Sequence, residues 1–290
     1  MKLGNLFFLC IRAESVPNTE DFLSQNEKIS LDIFRHPQTR MNWAVGRFLI
    51  KYLARIQDEL HLSEAAGDGV SSISETLKQS KTFGEFGEKT FSDESIFTDS
   101  QHHLSGDITS RFLQDVTSGN FNFDFCRQCS VISKTASGHG GRPRLFDENS
   151  QARKLYFSLT HSENHIAAAM NVTRPVGIDL CCPGCVTEAV TRHFFTESEQ
   201  RLVRNATAPE LLAAMIWASK EAAYKASKDS EESPFCPQKL EFSFLGDHHE
   251  PAETSSTGII RRIGTPKSSS TFHINFCRPF SYVLAITESP

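Results

Sequence analysis

Apolar residues fall into two rhythms along this chain. Leu6 to Ile11 is a short apolar run closed by Arg12, the pattern of a β-strand. A leader peptide would carry a longer apolar stretch ending in small residues. From Thr39 to Ile56 the period lengthens. Met41, Val45, Phe48, Leu49, Tyr52 and Ile56 share one helix face, with Arg40, Arg47 and Lys51 opposite. A solvated face accounts for these cations; the sharper reading has Arg47 reaching an anionic ligand. From about Ser63 to Gly119, Ser, Thr, Gly, Asp and Glu dominate without sustained period. That composition predicts a partly disordered insertion with a short helix near Ile108–Val116.

Ordered pattern resumes near Phe121. Val131–Lys134 and Arg144–Phe146 flank a Gly-rich turn, Ser137-Gly-His-Gly-Gly-Arg-Pro143. Leu155–Leu159, Ile166–Val172 and Val176–Leu180 read as strands, and Glu210–Lys228 as a helix. Leu240–Leu245, Thr271–Phe276 and Tyr282–Thr287 read as closing strands, with a polar loop between the first two. This order predicts α+β architecture. No internal sequence repeat stands out.

Composition narrows the function. The 290 residues suffice for one large domain or two ordinary ones, and 39% hydrophobic with 22% charged residues fits a globular protein. A net charge of -5 excludes a general nucleic-acid binder, so any phosphate site is a local basic patch. No apolar stretch reaches the length of a membrane span. Eight cysteines do not amount to a disulfide scaffold, and free thiols in a reducing cytoplasm are expected.

Four segments carry candidate chemistry. Trp217, Glu221, Tyr224 and Lys225 share a helix face, with Lys220 beside them. A surface Glu221–Lys225 ion pair explains them in isolation. Asp179 closes the apolar run Val176-Gly-Ile, where a carboxylate needs a metal, a basic partner or a turn. Gly140-Gly141-Arg142-Pro143 offers backbone N–H groups and a guanidinium fork for phosphate, without the spacing of a Walker loop. Phe157-Ser-Leu-Thr160-His161-Ser places an imidazole just past a strand. A rival set is Cys126-x-x-Cys129 with Cys182-x-x-Cys185, four thiolates able to hold structural zinc, although separated by over fifty residues.

Each segment is weak alone, but their order is specific. Gly46-Arg47, Gly141-Arg142-Pro143, Thr160-His161, Gly177-Ile-Asp179 and Trp217-Ala-Ser-Lys220-Glu221-Ala-Ala-Tyr-Lys225 resemble the motifs of the 4′-phosphopantetheinyl transferase superfamily. Phe194-Phe195-Thr-Glu-Ser-Glu199 resembles a further family segment between the last two. The match covers most of residues 1–60 and 120–290 and points to the large monomeric type, including the animal enzyme for aminoadipate-semialdehyde dehydrogenase. The resemblance implies two similar α+β halves packed as a pseudo-dimer, 1–173 and 174–290, with coenzyme A in the cleft and the 63–119 insertion outside the match.

It also implies the chemistry. Coenzyme A is the donor, with magnesium, or manganese in its place, on Asp179 and Glu221. Arg47, Lys134, Gly141, Arg142, Pro143, Thr160 and His161 hold the phosphates, and Lys220 and Lys225 lie near the pyrophosphate. Glu221, assisted by Lys220, handles the proton of a serine on an apo carrier protein. The products are the holo carrier and adenosine 3′,5′-bisphosphate, as for a holo-acyl-carrier-protein synthase acting as a cytoplasmic monomer without nucleic-acid or membrane partners. One position departs: many members read Gly-x-Asp-x-Glu, and this chain has Cys181 in place of the second acid. A neutral thiol is a poor magnesium ligand, so water or another side chain must fill that position. Thr160 replaces the expected serine and keeps the hydroxyl. The competing expectations are a catalytically impaired protein that binds coenzyme A or carrier, and the zinc-stabilised interaction module.

Overall fold

The computed structural model describes residues 6–16, 21–65, 96–97, 124–134, 140–227, 234–245, 257–264, 271–277 and 282–290. Most of the expected insertion, its helix at Ile108–Val116, and residues 135–139 of the Gly-rich turn lie outside them.

The architecture is α+β, as expected. Strands β1 (Leu6–Arg12), β2 (Ile96–Phe97), β5 (Tyr156–Ser162) and β6 (His165–Asn171) form an antiparallel sheet in the order β2-β1-β6-β5. β7 (Val176–Cys181), β8 (Leu240–Phe244), β9 (Thr257–Arg262), β10 (Thr271–Cys277) and β11 (Val283–Glu288) form a second antiparallel sheet, β7-β11-β10-β9-β8. β3 (Ser130–Lys134) and β4 (Gly140–Phe146) make a separate hairpin. The helices are α1 (Gln25–Leu31), α2 (Pro37–Ala65), α3 (Asp124–Gln128), α4 (Glu188–Phe194), α5 (Glu197–Asn205) and α6 (Pro209–Ala226).

Strand periodicity explains the layering. Phe7, Leu9, Ile11, Ala168 and Met170 face α2, packing on Val45, Phe48, Leu49 and Tyr52. Phe8, Cys10, Ala167 and Ala169, one residue out of phase, face the second sheet through Val176, Ile178, Leu180, Leu284 and Ile286. Cys181, Val283 and Ala285 on that sheet's other face pack against α6. The order is helix, sheet, sheet, helix. At the seam, the Ser158 hydroxyl of β5 accepts from Ile178 N (3.1 Å) and the Thr160 hydroxyl from Leu180 N (3.2 Å). These bonds satisfy donors on the edge strand β7 that its own sheet leaves unpaired.

Of the three cations named on α2, Arg40 stays on the solvated side beside the exposed Asp32, whereas Arg47 and Lys51 are buried. Lys51 is fully buried, its ammonium bonded to Glu27 (2.5 Å), Cys126 O (2.6 Å) and Phe22 O (3.0 Å). Glu27 belongs to the capping box of α1, with Ser24 at the N-cap, and also accepts from Val131 N (2.8 Å).

The same device recurs beyond β7. Lys220 on α6 is fully buried and bonded to Glu199 (2.6 Å), Pro237 O (3.0 Å) and Phe194 O (3.3 Å). Glu199 closes the capping box of α5, with Thr196 at the N-cap, and accepts from Phe242 N (2.7 Å). In both copies a Phe carbonyl two residues before the cap accepts from the lysine. In both, the strand N–H lies five residues beyond the second accepting carbonyl. The signature, Phe22-Leu-Ser24-x-x-Glu27 and Phe194-Phe195-Thr196-x-x-Glu199, is an internal repeat too short to stand out in sequence.

Several elements differ from expectation. α2 runs on to Ala65, into the expected insertion, and Ile96–Phe97 pairs with β1. β9 forms inside the span expected as polar loop, because Gly258, Ile259 and Ile260 supply a buried patch between β8 and β10. α6 crosses β7 almost backbone to backbone. A Cβ on Gly177 would sit 1.8 Å from Ala222 O, so glycine is required at this crossing.

Candidate active site

Residues two apart on a strand share a face, so Gly177, Asp179 and Cys181 all point toward α6. Gly177 lets the helix approach, and Asp179, buried at 4% exposure, then meets its side chains. Asp179 Oδ1 accepts from Lys225 Nζ (2.6 Å) and from the Thr160 hydroxyl (3.0 Å). Lys225 Nζ also donates to Ile178 O (3.2 Å) and lies 3.6 Å from Glu221 Oε2. The Glu221–Lys225 pair expected on the surface is present, but it faces β7 and encloses Asp179.

The Glu221 carboxyl is pushed up to about 7, first by burial and then by the charge of Asp179. Burial lowers the Lys225 ammonium, but Asp179 and Glu221 together outweigh it and leave the group above its ordinary value. Partial desolvation and the Lys225 charge lower the His161 imidazole, favouring its neutral form. Around this core opens a cleft of about 340 Å³ lined by Thr160, His161, Ser162, Asp179, Cys181, Cys182, Cys185, Trp217, Glu221 and Lys225, among others.

Thus five of the expected site residues converge: Thr160, His161, Asp179, Glu221 and Lys225. Others do not. Lys220, expected near the pyrophosphate and in catalysis, is sealed in the opposite environment of α6 by Glu199 and two carbonyls, because one residue along a helix turns it about 100° from Glu221. Arg142 lies in β4 and donates to Lys225 O (3.1 Å), Ala226 O (3.0 Å) and Ser227 O, capping the C-terminus of α6 with a cation. Gly141 and the half-buried Pro143 lie in the same strand. The Arg47 guanidinium folds over the Trp43 ring (3.3 Å to the centroid) and donates to Trp43 O (3.3 Å). Its Nε is buried without a partner. Its neighbour Gly46 packs on Leu159, which borders the cleft. Lys134 ends β3, and its side chain lies outside the described residues.

The thiol pairs separate. Cys126 and Cys129 are in the core beneath α2, whereas Cys182 and Cys185 border the cleft. Four thiolates do not converge, and among the described residues no three His, Cys, Asp or Glu side chains form a metal cluster. Asp179 and Glu221 are a pair. The contributions of Ser162, Cys182 and Cys185 to the cleft were not legible as such. Only the period of β7, which aligns Cys181 with Asp179, was available in sequence.

Among the described residues no helix is long and apolar enough to cross a membrane. A family model described as the 4′-phosphopantetheinyl transferase superfamily matches residues 175–285, from the start of β7 into β11. The 4′-phosphopantetheinyl transferase HetI of Nostoc sp. (strain PCC 7120 / SAG 25.82 / UTEX 2576) is 34% identical over 93 residues, 31% of this chain and 39% of that protein. The match therefore spans well under half the length of that relative. The carboxylates, Lys225 and the glycine crossing all fall within residues 175–285, over which the chain is similar to the 4′-phosphopantetheinyl transferase superfamily.

Proposed function

We propose that this protein transfers 4′-phosphopantetheine from coenzyme A to a serine of an apo carrier protein, releasing adenosine 3′,5′-bisphosphate. The observation that carries the reading is the Asp179–Glu221 pair, bridged by Lys225 in an open cleft. Two carboxylates on either side of one ammonium, opening on the cleft, are a donor set that fits a hard divalent cation. Asp179 and Glu221 would hold magnesium or manganese, which when bound supplies charge neutralisation for the pyrophosphate.

The chain's own groups perform the remaining work. Glu221 accepts the proton of the carrier serine, directly or through water. The serine oxygen then bonds to the pantetheine-side phosphorus, the bond to the bridging oxygen breaks, and the bridging oxygen leaves with the bisphosphate. Lys225 presents its ammonium to that developing charge. Thr160 orients Asp179, and His161 offers its imidazole to phosphate at the rim. Arg142 acts through α6, holding the helix end that carries Lys225. Lys220 anchors the same helix from its far side. The proposal includes a cytoplasmic monomer of two similar halves dividing near Arg174, with the paired lysine–glutamate networks as the feature that supports their likeness.

Calorimetric titration with coenzyme A, with and without magnesium, tests the site. Wild type is expected to bind with magnesium-dependent affinity, and Asp179→Asn to lose at least tenfold of it. Magnesium-independent binding equal in both proteins would contradict this placement of the site.

A further inference from the structure

Cys182-Pro183-Gly184-Cys185 connects β7 to the approach of α4, and neither thiol has a role in the reading above. Cys185 N donates to Cys182 O (3.1 Å), closing a four-residue turn, with Gly184 at φ +88° where only glycine sits without strain. Such a turn brings its end Cα atoms within about 7 Å, close to the span a disulfide bridges. Cys182 Sγ donates to Pro183 O (3.2 Å), within the same turn. Cys185 is exposed, Cys182 is half-buried, and both border the cleft that holds Asp179 and Glu221.

We propose that Cys182 and Cys185 form a reversible dithiol–disulfide site on the wall of this cleft, oxidised by exchange with a low-molecular-weight disulfide. The exposed Cys185 thiolate attacks one sulfur of that disulfide, forming a mixed disulfide and expelling one thiol. Cys182 then attacks the Cys185 sulfur, closing the internal bond and releasing the second thiol. Two electrons pass from the pair to the small disulfide, and the two protons leave with the released thiols.

The order of attack follows from the surroundings. Cys185 is exposed and Cys182 half-buried, and burial, then the neighbouring Cys185, push the Cys182 thiol up to about 11, so Cys182 is the resolving member. The contribution from Cys185 vanishes once its sulfur is in the mixed disulfide. Cys181 does not compete: burial and Asp179 raise its thiol, and its sulfur is turned to Cys182 O (3.7 Å). The closed bond ties the exit of β7 to the approach of α4, making the cleft rim responsive to thiol–disulfide poise.

The test equilibrates the full chain in glutathione buffers from fully reducing to fully oxidising, followed by acid quench, alkylation, intact mass and peptide mapping. Wild type is expected to lose two hydrogens by a bond mapped to Cys182–Cys185 and to regain them on reduction. Cys182→Ser is expected to trap glutathione on Cys185. Cys185→Ser is expected to form no bond at Cys182 and to be modified there at least tenfold more slowly than Cys185 is in Cys182→Ser. Wild type that stays reduced at the oxidising limit, or that accumulates glutathione on Cys185 without closing the bond, would overturn the proposal.

Discussion

Replacing Lys220 with Met separates a structural lysine from one that acts on ligand. The ammonium is fully buried and meets Glu199 at 2.6 Å, Pro237 O at 3.0 Å and Phe194 O at 3.3 Å. Its removal leaves the Glu199 carboxylate buried with two backbone donors, Thr196 N and Phe242 N, and no cation bonded to it among the described residues. Breaking one side of a buried pair costs roughly 3–5 kcal/mol, a large share of the roughly 5–15 kcal/mol that holds a domain folded. Lys220→Met is therefore expected to lower the urea midpoint strongly. The double variant Glu199→Gln/Lys220→Met, with neither charge left, should recover at least about 2 kcal/mol relative to the sum of the single losses. Lys51→Met, in the matching network on α2, should behave like Lys220→Met. A Lys220→Met protein that unfolds at the wild-type midpoint yet no longer binds coenzyme A would refute this reasoning.

Three further outcomes are expected. Gly177→Ala would place a methyl 1.8 Å from Ala222 O, so α6 must move off β7; the expected loss is at least about 3 kcal/mol, read from the urea midpoint, with a shift in Trp217 emission. Arg142→Ala removes a charged donor from the end of α6 and should cost about 1–3 kcal/mol, measured the same way. The Glu221 carboxyl is raised from 4.5 to about 7 in the folded, metal-free chain, so between these values the native state binds the extra proton. That contribution to stability is present at lower pH and is lost as pH rises through 7. Urea midpoints across this window should fall in wild type relative to Glu221→Gln, and a flat difference would contradict it.

Much of the fold was legible where a rhythm was long. The α2 and α6 periodicities and the apolar runs of β1, β5, β6, β7 and β11 mark those elements. α1, α4 and α5 escaped because they are short, although Ser24-x-x-Glu27 and Thr196-x-x-Glu199 are capping boxes visible in the sequence. β9 escaped because only two adjacent isoleucines signal it amid Ser, Thr and Gly. In the site, helical spacing paired Glu221 with Lys225, and the ordered resemblance joined Asp179 to them. Spacing did not separate Lys220 from Glu221, since adjacent helical residues differ only in which neighbour they meet, and that neighbour, Glu199, comes from another helix. Arg142 was legible as a cation that binds oxygens, but not that those oxygens are carbonyls at the end of α6.

The most direct test of the central claim is the intact mass of an apo carrier protein incubated with this chain, coenzyme A and magnesium, beside a Glu221→Gln control. A gain of one phosphopantetheine group with wild type, lost or strongly reduced in the control, is the expected result. No gain on carriers of several classes, with manganese tried in place of magnesium and coenzyme A binding intact, would contradict the transferase and leave a protein that binds coenzyme A without transferring it.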